Sequence, residues 1–598
     1  MANPAQKKKT TANSELKEAI LASKKSFIIV GVFSLFVNLL MLVPSIYMLQ
    51  LYDRVMTSRS EDTLIMLTSI VMVLFITMAL LEIVRSKILV KIGNKLDSIL
   101  SQRVFDTLFE LANKNPGKAS SMPLNDLTQV RQFMTGNGIF AFFDTPWIPI
   151  YVALLFMFHP VLGYFAIFAA IVLVSLTIFN EYSTKTKLAE ANSLNRASTV
   201  FVDMNLRNAE VINAMGMKNN IKEKWKEKYY GFLNAQNEAS SKAGIFSNVS
   251  KSTRMMFQSL ILGLGGYLAI HNEISSGMLI AGSILMGRAL APLDLLINTW
   301  KGFSSARASY ARLEALLADF PKDKEYMELP DPKGEIMLEG VVVIPPGSKQ
   351  PSIKGISMKI DKGDVVGIIG PSAAGKSSLA RAILGLWPLV QGKVRLDKAD
   401  IHQWDKEHLG KHIGYLPQDI ELFEGTISQN IARFAEVDSK KVVEAAQKAG
   451  VHEMILRLAD GYDTKIGAGG ATLSGGQRQR IGFARAIYDN PVLVLLDEPN
   501  SNLDDQGEKA LVQAIRILKE MGTTVILITH RPSILQATNK LAVIKQGQLE
   551  AYGNTNEILQ RMAAAAKAQA PQQPQPQPQP QVQRTQAAPK ISLSKPGS

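Results

Sequence analysis

The 598-residue chain contains no cysteine. That absence excludes disulfide frameworks and thiolate-held metal centres, zinc ribbons and iron–sulfur clusters among them. Charge is missing locally. Ser26 to Leu51 is a run of 26 residues without Asp, Glu, Lys or Arg, longer than the roughly 20 residues a helix needs to cross a bilayer core and too long for an ordinary buried helix. The run also lacks a small-residue cleavage site. Lys24 and Lys25 precede it as in a secretory signal, but Tyr52-Asp53-Arg54 follows it, so a membrane span is the better reading. Beyond Met562 the chain turns to alanine and then "PQQPQPQPQPQVQ"; such a composition cannot bury a core, and 563–598 is expected to be a disordered tail.

Further apolar runs cover Thr63–Leu81, Ile139–Phe158, Val161–Phe179, Met255–Asn272 and Ile274 to about Ile297, which makes six expected spans. Lys and Arg orient them. Segment 1–25 carries six, 52–62 two, 85–143 eight, His159-Pro160 none, 181–254 twelve and 271–273 none. Basic and poor connections alternate, which places both termini in the cytoplasm. The two long basic loops are rich in helix formers, so spans two to five are expected to continue as helices well past the lipid bilayer. The net charge of +14 could point to nucleic acid, but basic inner loops account for it, and no nucleic-acid partner is expected. Two charges stand out: Arg288 in "LMGRALAPLD" and Asp144 in "FFDTPWIPIY". Both could sit at the inner interface, where a long arginine snorkels; alternatively they line a hydrated path and pair across it, because an intramembrane charge avoids lipid. Pro292 beside Arg288 would kink the sixth span.

From Gly334 short Val/Ile/Leu runs alternate with charged, helix-forming segments, the pattern of an α/β domain. "DVVGIIGPSAAGKSSLARAILGLW" reads as strand, glycine turn and helix, and Gly370, Gly375, Lys376 and Ser377 satisfy G-x-x-x-x-G-K-[ST] in that context. The turn Gly370, Pro371, Ser372, Ala373, Ala374 and Gly375 and the helix start to Ser378 would cradle phosphates with their backbone N–H groups, Pro371 having none and only shaping the turn; Lys376 would neutralise the outer phosphates, and the Ser377 hydroxyl would ligate Mg²⁺. "VLVLLDEP" supplies an acidic strand end, with Asp497 for Mg²⁺ and Glu498 for the attacking water. A second glycine loop, "LSGGQRQR", opens another helix about a hundred residues later.

Phosphate loop, "YLPQD", "LSGGQRQR", "VLVLLDEPNSNLD" and "LITHR" occur in the order found in ABC ATPases, and six preceding spans with long inner loops resemble an ABC exporter half-transporter. The resemblance implies a multidomain membrane protein: an N-terminal segment (1–25), a six-helix transmembrane domain with long cytoplasmic extensions (26–317), a linker (318–333), an α/β P-loop nucleotide-binding domain (334–562) and the tail. It implies ATP and Mg²⁺ as cofactors, Gln418 as a residue meeting Mg²⁺ and the membrane domain, Asp504 as the D-loop aspartate and His530 as the γ-phosphate switch. It also implies that Ser474, Gly475, Gly476 and Gln477 face the phosphate loop of a second chain, making the active particle a homodimer.

"DEPNSNLD", "GPSAAGKSSLAR", "YLPQDIELFEGTISQNIARF", "FFDTPWIPIY", "EVINAMGM" and "GRALAPL" resemble type 1 secretion permease/ATPases, particularly the alkaline-protease and haemophore exporters. This resemblance implies a bacterial inner-membrane motor, a periplasmic membrane-fusion adaptor, an outer-membrane channel protein, and an unfolded protein substrate with an uncleaved C-terminal signal. About 25 residues before the first span leave no room for the N-terminal peptidase-like domain of haemolysin exporters. Two features depart from the family pattern. No Phe, Tyr or Trp lies between Met327 and Leu386, so Ile344 or Pro345 would have to hold adenine, and base discrimination is expected to be weak. Ala468 stands where exporters commonly have a coupling glutamate. A lipid or drug exporter shares the motor residues, a soluble ABC ATPase would need no spans, and a receptor without turnover would need no Glu498.

Overall fold

The computed structural model describes residues 15–115, 120–321, 329–467, 470 and 472–569; Ala468 and most of the Pro/Gln tail lie outside the described residues. Two compact units divide the chain, 1–324 and 325–598.

The first unit is all helix. Its first expected span is broken: Lys24–Leu40 and Val43–Gln50 are followed by a π-helical turn over Leu51–Val55 and by Met56–Ser58. Pro44 sits in the first turn of the second piece, where its missing N–H costs no helical bond. The long extensions expected of spans two to five are continuous helices in three of them, Glu61–Lys114, Pro160–Leu206 and Lys218–Ile270, whereas the third is interrupted, Met122–Thr135 ending at an extended Gly136 before Gly138–Asp144, the Thr145–Trp147 turn and Ile148–Phe158. At 1.5 Å per residue the 54-residue Glu61–Lys114 helix is about 81 Å long, over twice the bilayer core. Its apolar half has no buried residue; Ile65, Met66, Val73 and Ile76 are open on its surface, a pattern that suits lipid contact.

Five helices among the described residues are long and apolar enough to cross a membrane, against six expected. The missing one is Met255–Asn272, the end of the Lys218–Ile270 helix. Gln258 and glycines 263, 265 and 266 dilute its hydropathy, while Phe257, Ile261, Gly265 and Leu268 are buried. That end is packed among neighbouring helices, and small residues permit the approach: a Cβ on Gly265 would lie 3.3 Å from Leu279.

The three connections expected on one side of the membrane are joined. Ser275 Oγ and the Gly277 N–H donate to the Asp53 carboxylate, at 2.5 and 2.9 Å, and His159 Nε2 lies 3.0 Å from Glu273 Oε2. At the other end a short helix, Glu15–Leu21, buries Leu16 and Ala19, and Glu15 pairs with Arg103 at 3.0 Å.

The second unit holds two principal sheets. One is antiparallel, in the order Ile353–Ile360, Ile336–Val343, Gln391–Leu396, Ala399–Asp400. The other runs Gln548–Asn554, Lys540–Lys545, Val365–Ile369, Thr524–Ile528, Leu493–Asp497, Ile413–Leu416, parallel except at the Gln548–Asn554 edge. Val365–Ile369, Leu493–Asp497 and Thr524–Ile528 are buried at every position, as strands covered on both faces must be. The last helix, Thr555–Gln569, continues into the segment expected to be disordered; its alanine run is strongly helix-forming.

Candidate nucleotide site

Three central strands deliver the site from their carboxyl ends, the position where open parallel sheets bind ligands. Val365–Ile369 leads into Gly370, Leu493–Asp497 into Glu498, and Thr524–Ile528 into His530. Gly370 has φ +155°, and a Cβ there would stand 2.0 Å from the Ile544 carbonyl oxygen; Gly375 has φ +100°, with a Cβ 2.5 Å from the Ser352 oxygen. Only glycine allows the loop to pass so close to both backbones. A further bond, Gly547 N–H to Ala374 O at 3.1 Å, ties the loop down. Lys376 and Ser377 open the helix Lys376–Ile383. The Lys376 ammonium folds back on the loop, donating to Gly370 O at 2.8 Å and Pro371 O at 3.0 Å. Burial pushes its pKa down, against the opposing pull of Glu498 and Asp497.

Asp497 is 1% exposed, and its Oδ1 has no hydrogen-bond partner among the described residues. Burial raises its carboxyl above the ordinary range, while a hydrogen bond from Ser377 pulls the other way. A buried carboxylate oxygen beside a serine hydroxyl is a donor set suited to a hard, oxygen-seeking cation such as Mg²⁺. Glu498 sits at φ +49°, a left-handed conformation that bulky residues seldom adopt; its N–H is held by Ile528 O at 2.9 Å. Two expected partners reach it from other loops: Gln418 Nε2 donates to Glu498 Oε2 at 3.1 Å, and His530 Nε2 lies 3.7 Å from Oε1. Ile344 is half-buried just after the Ile336–Val343 strand.

The second glycine loop makes no hydrogen bond to Gly370–Ser378 among the described residues. Ser474 caps its own helix, Gly475–Ile487, in a reciprocal box with Gln477 (2.8 and 3.3 Å), so both side chains have a local task beside any ligand role. Gly476 is required by packing, since a Cβ would fall 2.7 Å from Asn502 O. Asp504 likewise caps the helix Asp505–Glu520 through the Gly507 N–H at 2.8 Å. One residue escaped the sequence reading. Gln479, 1% exposed, donates to Glu498 O at 3.3 Å and accepts from Asn502 N–H at 2.9 Å. It joins the glycine-loop helix to the acidic strand end. Its position four residues before buried Phe483, on the inward face of the helix, was the available signal.

Comparison with known proteins agrees with this geometry. Residues 353–501 match the ABC transporter family, and residues 27–292 match the ABC transporter transmembrane region. The type I secretion system ATP-binding protein PrsD of Rhizobium meliloti (strain 1021) is 43% identical over 549 residues, covering 92% of this chain and 94% of that protein. The chain belongs to the type I secretion ABC exporters. The exporter is thus a multi-pass membrane protein with an ATP-binding ABC ATPase domain. It is also 27% identical over 553 residues to the leukotoxin translocation ATP-binding protein LktB of a Pasteurella haemolytica-like species (strain 5943B), spanning 91% of this chain and 77% of that one. Its fold is that of a bacterial Atm1-family ABC exporter solved with ATP bound, with TM-score 0.79 at 20% identity over 92% of this chain and 99% of that one.

In the exporter's membrane unit the two singled-out charges do not pair. Asp144 bonds instead to Arg85 Nη1 at 3.2 Å and Asn38 Nδ2 at 2.9 Å. Arg85 also donates to Ser34 Oγ and lies over the Phe140 ring, 4.0 Å from its centroid. Tyr151 Oη closes the network onto Asn38 at 3.0 Å. The buried Arg85 guanidinium takes the carboxylate that helix packing offers, Asp144 being half-buried, and Arg85 had been counted to the loop. The Arg288 side chain forms no hydrogen bond or ion pair among the described residues. Pro292 lies inside the Ser276–Asp319 helix, and having no N–H it leaves the Arg288 carbonyl without its intrahelical donor.

Proposed function

We propose that the exporter works as a homodimer in the bacterial inner membrane, both termini cytoplasmic, and uses ATP to move unfolded proteins bearing an uncleaved C-terminal signal out of the cytoplasm. A periplasmic adaptor and, through it, an outer-membrane channel complete the route. The observation that carries this reading is the 43% identity with a type I secretion protein over nearly the whole of both chains. Each composite site takes the phosphate loop of one chain and Ser474, Gly475 and Gly476 of the other. A helix N-terminus presenting glycine N–H groups suits a γ-phosphate already held elsewhere.

In this site Lys376 exchanges its Gly370 and Pro371 carbonyl partners for the outer phosphates. Ser377, Asp497 and Gln418 would hold Mg²⁺, which when bound spreads the phosphate charge and keeps the terminal phosphoryl group electrophilic. Glu498 takes a hydrogen bond from the attacking water and orients it; the left-handed backbone turns its carboxylate towards Gln418 and His530. His530 is within reach of the same water and the γ-phosphate. Closure of the two ATPase domains moves the long inner helices, and product release reopens them. Arg288 and Asp144 are assigned to the substrate side, Arg288 facing the path and Asp144 fixing the inner end of the third span.

Replacing Glu498 by Gln is expected to lower ATP turnover by about 10²–10⁴-fold while the dimer retains bound ATP. Unchanged turnover in reconstituted vesicles would remove Glu498 from its role.

A further inference from the structure

We infer that Asp331, His408 and His412 form a site for a borderline divalent transition metal of the zinc class, separate from the nucleotide site. The two histidines stand four residues apart on the helix Lys406–His412, hence on one face. Their Nε2 atoms lie 3.2 and 3.3 Å from Asp331 Oδ1, and all three ligand atoms fall within 4.8 Å of one another. In a tetrahedral zinc site with bonds of roughly 2.0–2.1 Å, neighbouring ligand atoms are about 3.3 Å apart. Two of the three edges already have that length. The imidazole–imidazole edge closes by side-chain rotation, for which His408 has room, its side chain being 38% exposed. Two imidazoles and one carboxylate favour zinc, nickel, cobalt or copper over magnesium or calcium.

The ligands are held from outside the site. Asp331 is followed by Pro332, which disfavours helical backbone at the residue before it, and Lys333, Gly334 and Glu335 just beyond donate their N–H groups to Asp397. Asp405 caps the helix through the His408 N–H, and the Trp404 ring lies parallel to that of His408. His412 O accepts from Val492 N–H at 2.9 Å, and Arg433 grips the same end through Gly410 O at 2.7 Å. Such outer bonds orient metal ligands. The bound ion would clip the irregular segment ahead of the Ile336–Val343 strand, at Asp331, to the start of the Ile413–Leu416 strand. The open fourth position, on the exposed side, takes water.

The test uses the full-length chain in detergent, stripped of metal and titrated with Zn²⁺ against a chromophoric zinc indicator under excess Mg²⁺, which occupies the nucleotide site's oxygen ligands. One Zn²⁺ per chain is expected. His408→Gln and His412→Gln should each weaken that binding by at least about 100-fold, since even loss of an outer-shell partner costs about 10–100-fold; Asp331→Asn should weaken it as well. Co²⁺ in place of Zn²⁺ should give visible d–d bands that His412→Gln removes. No stoichiometric binding, or equal binding by the variants, overturns the proposal and leaves an ion-paired cluster only.

Discussion

At the scale of single residues, Arg433 places the largest demand on the ATPase unit. Its guanidinium donates to the carbonyl oxygens of Arg485, Gly410, Ile413, Ala486 and Tyr488, and burial lowers its pKa. Because five loop and helix-end carbonyls depend on one planar fork, Arg433→Ala should cost about 3 kcal/mol or more in unfolding free energy. Arg433→Lys should recover little. Denaturant titration measures both, and a loss under about 0.5 kcal/mol, typical of neutral surface sites, would refute the assignment. A second residue-scale expectation concerns alkali. Burial pushes the Tyr552 hydroxyl up to about 12. Burial opposes the charge on Lys540, yet hydrogen bonds to Asp361 and Asp364 outweigh it and raise that group too. Both folded-state values lie above the unfolded values of roughly 10, so their stabilisation is complete below pH 10 and is lost as pH rises towards 12. The melting temperature should decline over that interval, less steeply in Tyr552→Phe.

Among elements, the membrane helices divide into those legible in the sequence and those that depend on their neighbours. Uncharged runs located the second and fourth spans, since a run without charge can lie in lipid whatever surrounds it, and the sixth was legible from its length and apolarity in spite of Arg288 and Asp294. The first span's break and π turn and the weak apolarity of 255–272 were not legible, because tertiary packing sets both. The same holds for Asp144: its position at a span end was readable, its partner Arg85 was not, 59 residues away on another helix. In the ATPase unit the motifs themselves marked the phosphate loop, Asp497 and Glu498, and the resemblance to ABC ATPases added Gln418 and His530; the structure brings Gln418 and His530 to Glu498 from neighbouring strand ends. Gln479 stayed hidden within a run of charge. The Arg85–Asp144 pair gives an element-scale prediction. Asp144→Asn strands a buried guanidinium and should cost about 3–5 kcal/mol, whereas the double change Arg85→Gln with Asp144→Asn should be milder than either single one. Thermal unfolding in detergent reads the cycle, and strict additivity would contradict the pairing.

For the whole molecule, the phosphate loop and the second glycine loop lie on one chain without a hydrogen bond between them among the described residues, and the membrane unit exposes a long apolar helix. Both features suit an assembly in which a second copy completes the ATP sites and lipid covers the spans. Type I secretion adds a claim about partners, and that is the central one. The most direct test is purification of the Glu498→Gln chain from native membranes with ATP present, followed by identification of what accompanies it. A dimer with a periplasmic adaptor and a polypeptide cargo is the predicted result. A dimer carrying lipid, with neither adaptor nor polypeptide, would contradict it.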